Sequence, residues 1–594
     1  MQLFREKMRA ENVQACIIPT TDPHISEYTP DHWKIRAWLS GFTGSAGTLV
    51  VTDSEAGLWT DSRYFLQAQT ELEGSGITLF KMGLPGVPDI KTWLVEKLSA
   101  TSCLAFDGEV FAASEARSLI AFFAQKEISV RTDFSPFDSI WEDRPEIPTG
   151  PAFILPENFS GKSTREKINE VLKALREKNA SFSVLASLDT IAWLFNIRGN
   201  DVAYNPVCLA FAVVSEKETV LFIDPKKLTE DVSGYLQKQG VVLANYEEVC
   251  VYLSKLYENT SVLINPSKIN YKMCSSIPVE CSVVETDTHP ADALKAIKNE
   301  TEIFGIRNAM RKDGVALVKF LIWLEESLKT GKPFTELDVS DKLHAYRKEQ
   351  DLFFGESFET ISAYGPHGAI VHYGATKDSN AEIRPEGILL LDSGAQYFDG
   401  TTDITRSIAC GDVSPKMKRD YTNVLKGHIQ LAKACFPAGT IGMQLDVLAR
   451  QFLWQNRENY LHGTGHGVGH FLNVHEGPQS IRMNYNPIAL DPGMVTSNEP
   501  GIYRAGNYGI RIENLVLTVK DSDSEWGGFY RFETLTLCPI DTNLIEESLL
   551  SGDEIDWLNA YHQRVFETLS PFLNEKENSW LEQRCSLFGF VALA

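Results

Sequence analysis

Four carboxylates and one imidazole stand where charge is expensive to place. In Gly387-Ile388-Leu389-Leu390-Leu391-Asp392-Ser393-Gly394 an apolar run reads as a buried strand that ends in a carboxylate. Such a group is costly to bury without a partner. Past a turn at Asp399-Gly400, Asp403 lies inside the strand-like Thr401-Thr402-Asp403-Ile404-Thr405-Arg406, so a hairpin can bring both aspartates onto neighbouring strands. Taken alone, each aspartate is better explained as a turn or cap residue. The run His462-Gly463-Thr464-Gly465-His466-Gly467-Val468-Gly469-His470 combines glycines, which let backbone approach a ligand closely, with imidazoles suited to metal or acid–base work. Its Gly-x-Gly spacing imitates a dinucleotide loop, but no acidic residue on a following strand completes a βαβ unit. Glu499 precedes Pro500-Gly501 at the end of an expected strand over 493–497, and Glu513 sits in Tyr508-Gly509-Ile510-Arg511-Ile512-Glu513-Asn514. In that last strand Arg511 and Glu513 share one face while Ile510 and Ile512 take the other. For Arg511 and Glu513 in isolation, a plain surface ion pair is the reading to prefer.

Together the four carboxylates and the imidazole form a hard, oxygen-dominated ligand set, which suits manganese better than a thiolate-rich zinc site does. Four negative ligands balance two dications. Two such ions about 3.5–4 Å apart can activate a shared water and clamp a substrate carbonyl, which is metal-assisted hydrolysis.

The elements that must position these residues fall into a duplicated first half and a longer second half. A helical stretch over 3–11 leads into the apolar strand Ala15–Ile18, then Asp22-Pro23-His24 and a strand pair over 48–52 and 56–60 that closes on Asp61-Ser62-Arg63-Tyr64. The same order recurs from the helix at 167–178 through a strand at 183–186 to a strand pair over 209–214 and 219–223. Two α/β domains related by duplication are expected, 1–145 and 146–291, joined across the proline-rich Pro145-Glu146-Ile147-Pro148-Thr149-Gly150-Pro151. A catalytic domain over 292–540 opens with a helix at 294–326, where Ile303, Ile306, Met310, Leu317, Phe320 and Leu324 recur at helical spacing. A helical tail, 541–594, places Trp557, Leu558, Tyr561 and Phe566 on an apolar face over 545–573, and the apolar end 585–594 matches no pattern.

Composition narrows the function from the other side. With 594 residues, 43% of them hydrophobic and 23% charged, the chain is of ordinary soluble type with room for three or four cores. A formal charge of -23 repels phosphate backbones and anionic lipid, so neither nucleic acid nor a membrane surface is an expected partner. No apolar run approaches a membrane span, the N-terminus lacks the apolar core of a secretory signal, and the ten cysteines are scattered without Cys-x-x-Cys pairs. The expected location is cytoplasmic.

The strings LLDSGAQYFDGTTDITR, HGTGHGVGHFLNVHEGP, SNEPGIY and GIRIEN resemble the signatures of the M24 "pita-bread" metallopeptidases, in particular their long three-domain X-prolyl aminopeptidase branch. The N-terminal LSGFTGSAGTLVVTDSEAGLWTDSRYFLQA resembles that branch too. The resemblance implies an α/β chain of two related creatinase-type N-terminal domains and a C-terminal pita-bread catalytic domain, acting as a homodimer. It implies two divalent ions, with Asp392 on one, His466 and Glu499 on the other, and Asp403 and Glu513 bridging. Glu499 would accept the proton of the attacking water, His372 would contact substrate near the scissile bond, and His475 would stabilise the tetrahedral intermediate. His462 would line the proline-side pocket, with Arg63 and Arg511 as further substrate contacts, while His470 has no counterpart and no assigned role. The implied activity is release of the N-terminal residue from peptides with proline second. The alternatives are an X-Pro dipeptidase, which shares the five ligands but lacks the duplicated half, and catalytically inactive pita-bread binding modules or metal-free creatinase, which lack the ligands kept here.

Overall fold

A computed structural model describes residues 1–589, and residues 590–594 lie outside the described residues. The chain divides into two compact units, Met1–Lys295 and Ala296–Ala594.

The first unit contains the expected duplication. One six-stranded sheet runs Thr78–Lys81, Ala56–Thr60, Thr48–Thr52, Ala15–Ile18, Cys103–Ala105, Ser129–Arg131, and the other runs Val241–Ala244, Thr219–Ile223, Ala210–Ser215, Phe182–Leu185, Ser261–Ile264, Ser282–Glu285. Both sheets are parallel at each edge and antiparallel at the two inner pairings that follow the first edge. Each keeps its own apolar cluster, around Phe42, Leu49 and Leu58 in one and Phe182, Val213 and Val262 in the other. Residues 144–152 between them form neither helix nor strand. Asp22-Pro23-His24 ties the halves together. The His24 ring is hydrogen-bonded to Ala186 O and Tyr246 Oη, both at 2.9 Å, and Asn270 donates to Pro23 O at 2.7 Å.

The expected helix over 294–326 is two helices, Pro290–Ala296, which runs to the start of the second unit, and Glu300–Thr330 within it. The break comes from a capping box that apolar periodicity does not reveal: Asn299 Oδ1 accepts from Glu302 N, and Glu302 Oε2 accepts from Asn299 N, both at 3.0 Å. Ile306, Met310, Leu317, Phe320 and Leu324 are buried as their spacing predicts. Behind this helix lie a three-stranded sheet, Ile361–Tyr364, Ile388–Ser393, Ile404–Ala409, and a six-stranded sheet in which Gly465–Gly467 sits between Val495–Asn498 and Glu476–Ile481. The helices Pro415–Ala432 and Gly442–Gln455 pack on one another, and Leu425, Ile429 and Leu453 join Ile510 and Ile512 in one core.

The tail helix is shorter than its apolar pattern. Two 3-10 turns precede Gly552–Leu569, which starts where Ser551 and Glu554 form a capping box. Leu558 and Tyr561 are buried, and Trp557, Phe566, Cys585 and Phe588 pack partly against the same core. The docking expected of the tail is thus described as far as Gly589.

Candidate metal centre

Antiparallel pairing of Ile388–Ser393 with Ile404–Ala409 sets Asp392 opposite Thr405. The Thr405 hydroxyl donates to Glu513 Oε2 at 2.7 Å, and Glu513 N donates to Thr405 O at 3.0 Å, so one threonine joins two carboxylate-bearing segments. On the facing side, a Cβ added to Gly465 would lie 2.0 Å from Ser497 O, so only glycine lets these strands close. The Ser497 hydroxyl accepts from His466 N at 2.9 Å and donates to Glu499 Oε1 at 3.1 Å. These two constructions meet. His466 Nε2 lies 3.4 Å from Asp403 Oδ2 and 3.5 Å from Glu499 Oε1, and one ligand atom each from Asp403, His466 and Glu513 lie within 4.8 Å of one another.

The cluster fits cations. His466 Nδ1 is 2.9 Å from Gly467 O, and donation there directs Nε2 into the carboxylates, as in a metal-ligating histidine. Asp392 Oδ1 is buried with no hydrogen-bond partner among the described residues. Burial, followed by the neighbouring carboxylates, raises the pKa of Glu513 well above its ordinary value. Burial likewise raises Asp392 against the pull of Arg511, and Glu499 against the pull of His466. For His466 burial opposes the charged form, but the Asp403 hydrogen bond and the charges of Glu499 and Asp403 outweigh it and push the imidazole up to about 9. Cations among these groups would relieve the repulsion that otherwise calls in protons.

Two local expectations change. The Asp399-Gly400 turn joins Ala395–Tyr397 to Gly400–Thr401, and Asp403 sits in the break between that hairpin and Ile404–Ala409, rather than inside a strand. It reaches Asp392 because Ile404–Ala409 pairs with Ile388–Ser393. Asp399 itself pairs with Lys312 at 2.6 Å. Arg511 and Glu513 are not a surface ion pair: both are buried, Glu513 lies past the end of the strand Tyr508–Arg511, and the guanidinium is bonded to Asp392 Oδ2. Its remaining donors reach Thr405 Oγ1 at 3.1 Å, Tyr503 Oη at 2.8 Å and Val371 O at 3.4 Å.

The other singled-out residues distribute as follows. His475 packs its ring 4.4 Å from that of His466 at 74°. His462 Nδ1 stands 3.9 Å from Glu499 Oε2, and its Nε2 is 2.7 Å from Tyr503 Oη. His372 follows Val371, whose carbonyl Arg511 holds, and is half-buried. His470 is buried beside the helix Glu300–Thr330, where a Cβ on Gly305 would lie 3.2 Å from its Nε2. Arg63 belongs to the first unit, where it pairs with Asp61 at 2.8 Å and Glu27 at 3.5 Å. Sequence reasoning missed Thr405, Ser497 and Tyr503, which orient the charged groups. Thr405 and Ser497 each lie two residues from an expected ligand, the only signal they gave. It also missed the buried pair of Lys298 with Glu476, the residue after His475, because 178 positions separate the partners.

Comparison with known proteins identifies the domains. The description "Creatinase/Prolidase N-terminal domain" matches residues 1–139 and again 143–302, "Metallopeptidase family M24" matches 305–520, and "C-terminal region of peptidase_M24" matches 528–588. A protein of Coprinopsis cinerea named "Probable Xaa-Pro aminopeptidase P" is 42% identical over 98% of this chain and 96% of its own length. The crystal structure of an X-prolyl aminopeptidase from Caenorhabditis elegans, described as a cytosolic enzyme with a di-nuclear active site, superposes with TM-score 0.93 at 37% identity, covering 97% of this chain and 95% of that one. An Xaa-Pro dipeptidase from Bacillus anthracis shares the fold over 64% of this chain, with TM-score 0.50 at 24% identity. Two creatinase-type domains, an M24 catalytic domain and full-length likeness to the aminopeptidases P place the chain in metallopeptidase family M24, in the Xaa-Pro aminopeptidase P branch.

Proposed function

We propose that the chain releases the N-terminal residue from peptides whose second residue is proline, using two divalent ions, most suitably Mn2+, held by Asp392, Asp403, His466, Glu499 and Glu513. The observation that carries this reading is the convergence of Asp403, His466 and Glu513 on one point, with Glu499 against His466 and Asp392 across the Thr405 pairing. Oxygen-rich ligands with a single imidazole favour manganese. When bound, the two ions supply Lewis-acid activation of water and of the scissile carbonyl.

The residues around them do the rest. Glu499, whose Oε1 is held by the Ser497 hydroxyl and whose burial raises its proton affinity, accepts the proton of the attacking water. His475, ring to ring with His466, donates to the oxygen that becomes negative in the tetrahedral intermediate. His372 contacts the substrate beside the scissile bond, and His462, oriented by Tyr503, lines the proline-side pocket. Arg511 keeps Asp392 and Tyr503 in place and acts in substrate binding; a substrate contact by Arg63 belongs to the same reading through the family resemblance alone. A pyrrolidine ring gains burial in such a pocket at little entropic cost, because its φ is already fixed.

The same reading includes a homodimer, for which Met443, Val447 and Trp454 offer an apolar exposed face along the helix Gly442–Gln455. It includes a cytoplasmic location, consistent with ten free cysteines. Sedimentation of the purified protein checks the first, and fractionation of cells the second. The decisive assay offers an Arg-Pro-Pro-type peptide, its N-acetylated form and the dipeptide Arg-Pro, each with added manganese. Only the unblocked longer peptide should be cut well. Hydrolysis of the dipeptide alone would make the chain a prolidase, and hydrolysis of none at any metal loading would remove the enzyme reading.

A further inference from the structure

The loop between the strands Ile361–Tyr364 and Ile388–Ser393 carries His372, and one carboxylate holds its shape. Glu336, the first residue of the helix Glu336–Lys348, is fully buried. Its Oε1 accepts from Tyr364 N at 2.7 Å and His367 Nδ1 at 2.8 Å, and its Oε2 from Tyr373 Oη and Ala381 N, both at 2.9 Å. Glu336 N returns a bond to Ala381 O at 3.1 Å, and Leu337 N donates to Asn380 Oδ1 at 3.1 Å. The carboxylate therefore fastens where the loop leaves one strand, where it turns back, and two aromatic side chains between. Those rings, His367 and Tyr373, stack at 4.4 Å and 22°.

The same loop touches the metal centre at other points. Arg511 donates to Val371 O at 3.4 Å, and Gly509 lies so close that a Cβ there would be 1.7 Å from Gly368 O. His372 thus sits between a residue held by the metal-centre arginine and a tyrosine held by Glu336. The helix dipole favours a negative charge in the first turn, and four donors from outside the helix hold the Glu336 carboxylate, which makes it a firm anchor.

We propose that Glu336 is a positioning residue for peptide cleavage: through Tyr373 it fixes His372 against the substrate. The inference rests on the reading of His372 as a substrate contact. Glutamine keeps the shape of Glu336 but replaces one acceptor oxygen by an amide that donates, so two donors of the loop lose their acceptor.

The test is a double-mutant cycle on an Xaa-Pro-Yaa peptide, with metal content and melting temperature measured on every variant. Glu336→Gln should lower kcat/KM about 10²-fold, the loss typical of a misplacement near 1 Å, while binding as much manganese as the parent chain. In the His372→Ala background the same substitution should cost little more, because its effect runs through the side chain already removed. Tyr373→Phe, which removes one hydroxyl, should show a smaller loss that His372→Ala also absorbs, and it decides the matter alone if Glu336→Gln does not fold. Additive losses, parental rates in Glu336→Gln, or a loss that follows metal content would overturn the proposal. A harmless His372→Ala would remove the role of His372 and this inference together, whereas a costly His372→Ala with additive partners removes this inference only.

Discussion

At the scale of single residues, the centre is a set of like charges that protein groups alone do not neutralise. Arg511 answers Asp392, and His466 answers Asp403 and Glu499, whereas among the described residues the Glu513 carboxylate accepts a hydrogen bond from the Thr405 hydroxyl alone. Asp403→Asn or Glu513→Gln should therefore release metal and cost at least about 10²-fold in activity, read by metal analysis beside turnover. Glu499→Gln keeps an oxygen but loses proton affinity, and should fall by more than the roughly 10²–10⁴-fold of a general base alone. The metal-free protein should also have a telling pH dependence. Asp392, Glu499 and Glu513 bind protons more tightly folded than unfolded, so their contribution to stability is lost as pH rises above the ordinary carboxylate range. His466, raised from 6.5 to about 9, contributes stability fully below 6.5 and loses it as pH climbs to about 9. Both signs agree: melting temperature should fall with rising pH without metal, and added manganese should flatten or reverse the trend. A metal-free protein that grows more stable with pH would contradict this account. The charged residues themselves were legible, because carboxylates at the ends of apolar runs and an imidazole among glycines are anomalies in any sequence. Their partners were not. Arg511 looked paired with Glu513 two residues away, and its partner lies 119 positions off, beyond any local pattern.

At the scale of elements, the ligand strands need support from behind, and the tail helix supplies it. Arg406, one residue after Thr405, donates to Glu513 O at 2.7 Å, Cys538 O at 2.8 Å and Tyr561 Oη at 2.9 Å. Tyr561 lies on Gly552–Leu569, so that helix braces the backbone of Glu513, a proposed metal ligand. Tyr561→Phe removes an acceptor from a buried guanidinium and should destabilise the catalytic unit by about 1–3 kcal/mol, seen as an earlier unfolding transition. Activity of the still-folded variant should change less than with any ligand substitution. Helix and strand periods were readable here, whereas the ends lay in the spacings Asn299-x-x-Glu302 and Ser551-x-x-Glu554, which the apolar period does not carry. Asn299 and Ser551 begin helices inside apolar patterns that run on without interruption, because a cap acts through one or two side-chain bonds and leaves no period.

At the scale of the whole molecule, the duplication was legible because strand order survives where residue identity does not. The two sheets match strand for strand while their sequences share little, since a buried strand asks only for apolar residues of suitable size. The catalytic unit has a different origin of order. Its two-residue and three-residue strands gave no clear period, and what closes the site is pairing between distant segments: Thr405 reaches Glu513 across 108 positions. That separation has a consequence for how the protein comes into being. Contacts of such span pay loop-closure entropy before they return anything, so they form late. Each half of the first unit has its own core and can fold as it emerges from synthesis, but the proposed cage for the ions exists only after the chain has passed Glu513 and docked Tyr561 behind it. The ions should then act as guests of a finished chain and not as seeds of its assembly. Refolding from denaturant should show the same rate constants whether manganese is present from the start or added afterwards, with only the final stability raised; acceleration by the metal would mean that the cage begins to gather earlier than its topology allows.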